Sequence, residues 1–251
     1  MTRSITRRRF VGLGLAGAAT VFLGPDLAWP ADGTTARLKA RPRKPAQPVK
    51  PGIQNLGLAK GKDGILSVPP GYDAKKPVPL ILMRHGALGR TEGFNNFSRI
   101  AAEFGIATLV PDSRGRTWDL VLGGFGPDVV FIDRALEHAF ARVAVDPRHL
   151  AIAGFSDGAS YALSLGLPNG DLFTHVMPFS PGFMLPPGRQ GKPPVWISHG
   201  TGDSILPVES SRERIVPQLK QWGYKVHYKE FNGGHELTPD LAREAFRWFI
   251  A

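Results

Sequence analysis

The sequence predicts an α/β fold with a mostly parallel central sheet, helices flanking it and no lid domain. Two observations predict this fold. Short apolar segments alternate with longer helix-like segments along residues 53–251, which is the pattern of strands and helices that follow one another in turn. In addition, residues suited to catalysis follow several of the apolar segments, and the carboxyl ends of parallel strands are where such residues gather.

The predicted elements are bounded by turns that contain glycine or proline. Strands are predicted at 65–68, 78–83, 107–110, 150–153, 176–179, 195–198 and 225–231. Helices are predicted at 92–104, 127–143, 159–167, 208–222 and 239–250. In the second of these helices, Val130, Ala135 and Leu136 are the candidates for the buried face.

Residues 1–31 have the pattern of an export signal. The stretch from Thr6 to Val11 resembles a twin-arginine motif, with Arg7 and Arg8 as the pair, and an uncharged apolar run then extends to Leu23. The run is short for a membrane span, although a membrane-anchored N-terminus is the alternative. We therefore expect a bacterial protein that is periplasmic or secreted and that meets the membrane only transiently, through this segment.

Residues 32–52 are rich in proline, lysine and arginine, a composition that favours an extended linker without a buried core. The catalytic domain is expected at 53–251. Residues 1–52 hold ten Lys or Arg and two acids, whereas residues 53–251 hold 21 and 19, so the net charge of +10 belongs mainly to the leader and linker. The domain shows no basic helix or aromatic–basic stripe, and we expect no nucleic acid partner.

The sequence contains no cysteine. This excludes disulfides, thiolate metal sites and a cysteine nucleophile. No motif implies a metal or a cofactor, and the oligomeric state is left open.

The segment Gly154-Phe155-Ser156-Asp157-Gly158 fits the pattern Gly-x-Ser-x-Gly between a predicted strand and a predicted helix. Such a tight turn lifts the serine hydroxyl clear of the sheet, beside a helix N-terminus where negative charge is favoured. The neighbours need to be glycine because side chains there would clash. Ser156 is therefore the candidate nucleophile, and a structural serine in a tight turn is the alternative.

Asp203 and His235 follow two other predicted strands and are the candidate acid and base. A serine hydroxyl is a poor nucleophile at neutral pH, so a histidine must take its proton and a carboxylate must hold that histidine. The chain order of serine, aspartate and histidine, each after a different strand, supplies this set. Competing acids are Asp112, Glu209 and Glu230, which are placed less well, and His85 and His199 are interpreted as turn-packing residues.

Negative charge on a tetrahedral intermediate needs backbone N–H donors. We expect these from Asp157 and from Ala87, in the loop after the strand 78–83, with Leu88 as the fallback. Only 14 residues, 181–194, separate two predicted strands, so no lid fits and the site should be open to large or polymeric esters. The candidate substrate-binding residues are Trp118, Phe183, Met184 and Leu206, with Leu88 as a further wall.

Five motifs together carry a family resemblance over about residues 64–250. They are Val68-Pro69-Pro70-Gly71-Tyr72, His85-Gly86, the Gly-x-Ser-x-Gly segment, Gly200-Thr201-Gly202-Asp203 and Gly233-Gly234-His235. The chain resembles the serine carboxylesterase and phospholipase-type branch of the α/β-hydrolase superfamily, including polyhydroxybutyrate-depolymerase-like and acyl-protein-thioesterase-like esterases. The resemblance implies a serine esterase that acts on small-molecule or polymeric esters through an acyl-enzyme, without a cofactor.

Two positions depart from the resemblance. Arg84 stands where members usually have an apolar residue before His-Gly, and Asp157 stands where acyl-protein thioesterases usually carry glutamine. A carboxylate at 157 would disfavour an anionic substrate. Dienelactone hydrolases have a similar fold but a cysteine nucleophile, which this chain lacks. The alternatives in function are a serine peptidase of the same fold and a non-catalytic binding protein on a hydrolase scaffold.

Overall fold

An eight-stranded sheet forms the centre of residues 36–251, the part of the chain that the computed structural model describes. Its strands are β1 (Gly52–Asn55), β2 (Gly64–Val68), β3 (Val78–Arg84), β4 (Ala107–Pro111), β5 (Val145–Phe155), β6 (His175–Phe179), β7 (Val195–Gly200) and β8 (Val226–Phe231). Their spatial order is β1-β2-β4-β3-β5-β6-β7-β8. β2 is antiparallel to both neighbours, and the pairs from β4 through β8 are parallel. The predicted mostly parallel sheet is confirmed.

Five α-helices lie within residues 36–251, close to the predicted positions. They are α1 (Asn95–Glu103), α2 (Pro127–Phe140), α3 (Asp157–Gly166), α4 (Val216–Gln221) and α5 (Pro239–Ile250). A 3₁₀ turn at Thr91–Phe94 precedes α1, and a π-helical turn at Ser210–Ile215 precedes α4. Proline opens α2 and α5, where the first helical N–H needs no acceptor.

Helices cover both faces of the sheet. In β3, Leu80 and Leu82 belong to a core shared with α2, α3 and α4, whereas Ile81 and Met83 belong to a second core shared with α1 and α5. This division follows from the strand geometry, since successive side chains point to opposite faces. The result is a three-layer α/β arrangement that leaves the carboxyl edge of the sheet open to carry the site.

Two details of the predicted elements are wrong. Val130 is 56% exposed, because the buried stripe of α2 runs through Val129, Ile132 and Leu136 instead. The edge strand β1 is not predicted by the sequence, since it is short and mostly exposed and therefore carries no apolar signal.

Residues 36–50 form neither helix nor strand, as expected for a linker, but they pack against the domain. Alternate apolar residues are buried, namely Ala36, Leu38 and Ala40. The Leu38 N–H donates to Asn169 Oδ1 at 2.9 Å, and the guanidinium groups of Arg37 and Arg41 lie 2.8 and 2.7 Å from the Asp171 carboxylate. The composition does not predict this packing, because the partners of the segment lie far along the chain.

The predicted export signal, residues 1–31, lies outside the described residues. Within residues 36–251, no helix is both long enough and apolar enough to cross a membrane.

Candidate active site

The carboxyl ends of the parallel strands carry the sequence-predicted site residues. Ala87 follows β3, Ser156 follows β5, Asp203 follows β7 and His235 follows β8. Because these strands run in one direction, their ends lie along one edge of the sheet. The structure brings the side chains of Ser156, Asp203 and His235 into contact there.

Ser156 occupies a strained turn between β5 and α3, with φ 59° and ψ −122°. A Cβ on Gly154 would lie 2.2 Å from the Gly158 carbonyl oxygen, and one on Gly158 would lie 2.5 Å from the carbonyl oxygens of Arg84 and His85. Neither position can hold a side chain without moving backbone. Positive φ is unfavourable for a residue other than glycine, so the surrounding packing has to hold the serine in this conformation.

The imidazole of His235 lies between the other two side chains. Its Nδ1 is 2.7 Å from Asp203 Oδ2, and its Nε2 is 2.8 Å from Ser156 Oγ. A carboxylate accepts only, so Nδ1 must carry the hydrogen and Nε2 is left to accept from the serine hydroxyl. The Phe155 ring packs against the imidazole at 4.7 Å between centroids. This arrangement can remove a proton from Ser156.

The carboxylate of Asp203 is fully buried and well supplied with donors. Its Oδ1 accepts from the backbone N–H groups of Ile205, at 2.9 Å, and Leu206, at 2.8 Å. Burial alone would raise the pKa of Asp203, but the hydrogen bonds from His235, Leu206 and Ile205 outweigh it and lower that pKa. The carboxylate therefore stays ionised at neutral pH and can stabilise a protonated His235.

The loop after β3 lies directly against Ser156, since a Cβ on Gly86 would be 3.1 Å from the serine Cβ. The Ala87 N–H finds no hydrogen-bond acceptor within residues 36–251. Asp157 is the first residue of α3, so its N–H has no acceptor inside the helix. The Leu88 N–H donates to the Arg116 carbonyl at 3.0 Å, which rules out this fallback donor because it is already occupied.

The loop after β4, residues 112–118, holds the loop after β3 in place. His85 accepts the Ser113 N–H on Nε2 at 3.0 Å, and the His85 carbonyl accepts from Trp118 Nε1 at 2.8 Å. The Thr117 hydroxyl donates to Asp157 Oδ2 at 2.6 Å. His85 is thus a buried packing residue, as interpreted from the sequence, and burial lowers its pKa.

Known proteins with similar sequence and structure are named for ester or thioester hydrolysis, although no family model matches the sequence. The chain is 24% identical over 213 residues to a probable feruloyl esterase C of Aspergillus niger, which covers 71% of this chain and 78% of that protein. It is 26% identical over 142 residues to acyl-protein thioesterase 1 of Eremothecium gossypii, an alignment that covers 52% of this chain and 58% of that protein. The Bacillus cereus carboxylesterase structure matches with a TM-score of 0.58 at 22% identity. The match covers 76% of this chain and 95% of that structure. The chain has the α/β-hydrolase fold.

The predicted fold and the predicted resemblance to α/β-hydrolase esterases are thereby confirmed. The names of the chain's relatives support the predicted serine hydrolase that acts on esters.

The predicted substrate-binding residues differ in their exposure. Trp118 is completely buried between His85 and Tyr161, so its assignment to the pocket wall is wrong. Aromatic residues pack in a core as readily as they line a pocket, and the sequence alone did not separate the two. Phe183, Met184 and Leu206 are partly buried, and Phe183 and Met184 pack against the core that α3 shares, while Leu88 is 72% exposed. Another apolar side chain, Ile205, two residues after the acid, is 66% exposed and was not identified from the sequence.

Arg84, at the end of β3, and Asp128, in the first turn of α2, are two buried charged residues without an ion pair between them in the described part of the chain. The Arg84 guanidinium lies 5.7 and 5.5 Å from the ring centroids of Trp118 and Tyr161, and none of its nitrogens has a hydrogen-bond partner within residues 36–251. Burial lowers the pKa of Arg84 to about 10. Burial, reinforced by nearby Asp119, raises the pKa of Asp128 to about 6, although its Oδ1 accepts the Arg114 N–H at 2.5 Å.

The interpretation of His199 as a turn-packing residue missed one contact. His199 is fully buried, and its Nε2 lies 3.3 Å from Asp203 Oδ2, the same oxygen that faces His235. The available signal was the spacing of four residues across the Gly200–Gly202 turn, which brings the ends of that turn together.

Proposed function

We propose that this protein is an exported serine esterase in which Ser156, His235 and Asp203 form a catalytic triad. The observation that carries the proposal is the position of His235, whose two ring nitrogens lie 2.8 Å from Ser156 Oγ and 2.7 Å from Asp203 Oδ2. The strained φ of Ser156 and the close approach of Gly86 support it further, because both hold the hydroxyl at the open edge of the sheet.

The proposed reaction passes through an acyl-enzyme. Ser156 Oγ attacks the ester carbonyl while its proton moves to His235 Nε2, and Asp203 stabilises the imidazolium. The N–H groups of Ala87 and Asp157 donate to the oxygen that becomes negative. His235 gives its proton to the departing alcohol. It then takes a proton from water as the water oxygen attacks the acyl carbonyl, and it returns that proton to Ser156 Oγ as the bond to the serine breaks and the acid leaves.

The proposed substrates are carboxylic esters of small molecules or exposed esters of polymers. The relatives named feruloyl esterase C make esters of ferulic acid the first substrates to try. The apolar side chains proposed to meet the substrate suit an apolar or aromatic group; they are Leu88, Phe183, Met184, Ile205 and Leu206, all partly or largely exposed. Export through the predicted signal at residues 1–31 would bring the enzyme to such substrates outside the cytoplasm.

The test compares the wild-type protein with Ser156→Ala on methyl ferulate and on p-nitrophenyl esters from acetate to palmitate. We expect wild-type turnover, and a loss on the order of a millionfold in the variant, as for other serine hydrolases whose nucleophile is removed. Equal thermal unfolding temperatures show that the variant is folded. Comparable activity in the variant contradicts the assignment of Ser156.

Two further measurements separate the alternatives. A fluorophosphonate should label the wild-type protein and not Ser156→Ala; absence of labelling in the wild type would favour a non-catalytic binding protein. Peptide anilides should not be cleaved. Cleavage of anilides but not of esters would favour a serine peptidase of the same fold.

A further inference from the structure

A second histidine, His199, lies near the same carboxylate oxygen of Asp203 that faces His235. His199 is fully buried near the end of β7, and both of its ring nitrogens have polar neighbours. Its Nδ1 is 2.7 Å from Ser211 Oγ, and its Nε2 is 2.8 Å from the Leu206 carbonyl oxygen and 3.3 Å from Asp203 Oδ2.

These partners determine where the proton of a neutral His199 must lie. The Leu206 carbonyl and the Asp203 carboxylate can only accept, so an unprotonated Nε2 would face two electron-rich oxygens. Nε2 must therefore carry the hydrogen. The Ser211 hydroxyl can donate as well as accept, and it satisfies Nδ1 by donating to it.

The residue Leu206, in the loop after β7, connects His199 to Asp203. Leu206 accepts from His199 through its carbonyl and donates its own N–H to Asp203 Oδ1 at 2.8 Å. His199 thus fixes Leu206, the residue whose N–H holds one carboxylate oxygen of Asp203. The Nε2 of His199 also lies 3.3 Å from the other carboxylate oxygen.

We propose that His199 is a positioning residue that holds the Asp203 carboxylate in the orientation His235 requires, with Ser211 fixing the tautomer of His199. This inference rests on the proposed function, because positioning matters only if Asp203 serves the reaction. His199 touches neither Ser156 nor the expected place of a substrate, so it acts through Asp203.

Other charged groups close to His199 lie on β8 and on the turn before α4. Glu230 pairs with His199 in the register of β7 and β8, and its carboxylate is 2.5 Å from Arg212 Nη2 and 2.9 Å from the Tyr228 hydroxyl. Glu230 is therefore engaged by its own partners. Asp203 is the carboxylate that the Nε2 of His199 approaches.

The first test is a matched pair, His199→Leu and His199→Gln. Leucine fills the buried site without a donor, whereas the glutamine amide can place an N–H near the position of Nε2. For ester hydrolysis we expect kcat to fall about 10-fold in His199→Leu, the size of one lost hydrogen bond to the Leu206 loop that holds Asp203, with KM unchanged. His199→Gln should recover most of the loss.

The pH profile of kcat/KM distinguishes positioning from a merely structural role. Without the N–H of His199, the Asp203 charge is less shared and stabilises protonated His235 more strongly. The acid limb of the profile should therefore move to higher pH in His199→Leu, by on the order of half a unit, and return in His199→Gln. Equal losses in both variants with an unmoved profile would overturn the proposal, as would full activity of His199→Leu.

The tautomer provides a test that does not depend on a folded leucine variant or on activity. In the wild-type protein labelled with ¹⁵N-histidine, His199 should give the signals of a neutral ring protonated at Nε2. Ser211→Ala should disturb those signals and lower kcat a few-fold. Protonation at Nδ1 in the wild type overturns the inference. If the wild-type protein hydrolyses no ester while this tautomer is present, it is the proposed function that fails.

Discussion

The two sides of the candidate site differ in how completely their polar groups are hydrogen-bonded. On the acid side, the loops after β7 and β8, both carboxylate oxygens of Asp203 and both ring nitrogens of His199 have polar partners. On the oxyanion side, the loops after β3 and β4, Arg84 is buried without a hydrogen-bond partner within residues 36–251. Leu88 there has φ 56° and is 72% exposed.

This difference separates two kinds of requirement. Proton transfer needs a fixed distance between three groups, and dense hydrogen bonding provides it on the acid side. The oxyanion side must face the substrate, and it keeps an unpaired cation and an exposed leucine at positive φ, both of which cost stability. Changes on the acid side should therefore reduce kcat, whereas changes to Arg84 and Leu88 on the oxyanion side should alter stability and KM.

The largest effect is expected for Asp203→Asn, on the acid side. The amide can still accept the Ile205 and Leu206 N–H groups on its oxygen, but it presents N–H to His235 and stabilises the wrong tautomer. We expect kcat to fall about ten-thousandfold, as for a triad aspartate changed to asparagine, with little change in unfolding temperature. Steady-state kinetics on p-nitrophenyl butyrate check this, and a loss under tenfold would contradict the proposed role.

The second effect concerns Asp128, which anchors the oxyanion side through Arg114. Its pKa of about 6 lies above the ordinary value of 3.8, so the folded state holds a proton that the unfolded state releases first. Wild-type stability should therefore decrease as the pH rises from about 4 to about 6, by about 3 kcal/mol from this group alone. The variant Asp128→Asn should not show this decrease in stability, because asparagine does not titrate.

Urea unfolding at pH 4 and pH 7 measures the effect as a difference between wild type and variant. Relative to the free energy of unfolding of the wild type, that of Asp128→Asn should be higher at pH 7 than at pH 4. Asp240→Asn is the matched control, since the Asp240 side chain is 98% exposed, and it should run parallel to the wild type. Parallel curves for Asp128→Asn would show that Asp128 is ionised across this range.

Much of the fold and the proposed triad could be predicted because both rest on local patterns. Apolar strands and the glycines around Ser156 are readable residue by residue, and the order of Ser156, Asp203 and His235 follows from strand ends. The environment of Trp118 could not be predicted in this way. Its burial depends on Arg84 and Tyr161, which come from other elements.

The same limit applies wherever a partner is far along the chain. The burial of Leu38 depends on Asn169, and the contact of His199 with Asp203 depends on how the intervening turn closes. Composition alone marks residues 36–50 as a solvated linker, because the sequence pattern does not show the surface that receives it. Local sequence patterns thus predicted the candidate site residues, and tertiary packing determines which neighbours contact them.

A smaller effect is expected when the unpaired cation is removed by Arg84→Met. Methionine fills a similar volume and avoids burying a guanidinium without hydrogen bonds, although the ring contacts with Trp118 and Tyr161 are lost. We expect the free energy of unfolding to rise by about 1 kcal/mol. Arg114→Met is the matched control: Arg114 donates to the Asp112 carbonyl and lies 3.6 Å above the Phe131 ring, so this variant should lose stability. Equal losses in both would mean that Arg84 is well satisfied.

The smallest effect is expected for Leu88→Asn, which tests whether the strain on the oxyanion side serves binding. Asparagine tolerates positive φ better than leucine, and an exposed leucine gains little from burial, so the stability should stay equal or rise by about 0.5 kcal/mol. The Ala87 N–H is untouched, so kcat should hold. KM for p-nitrophenyl butyrate should rise a few-fold, because an apolar contact with the substrate is lost. Leu88→Met, which keeps the apolar side chain, should retain the wild-type KM; equal KM values in all three proteins would show that the leucine does not meet the substrate.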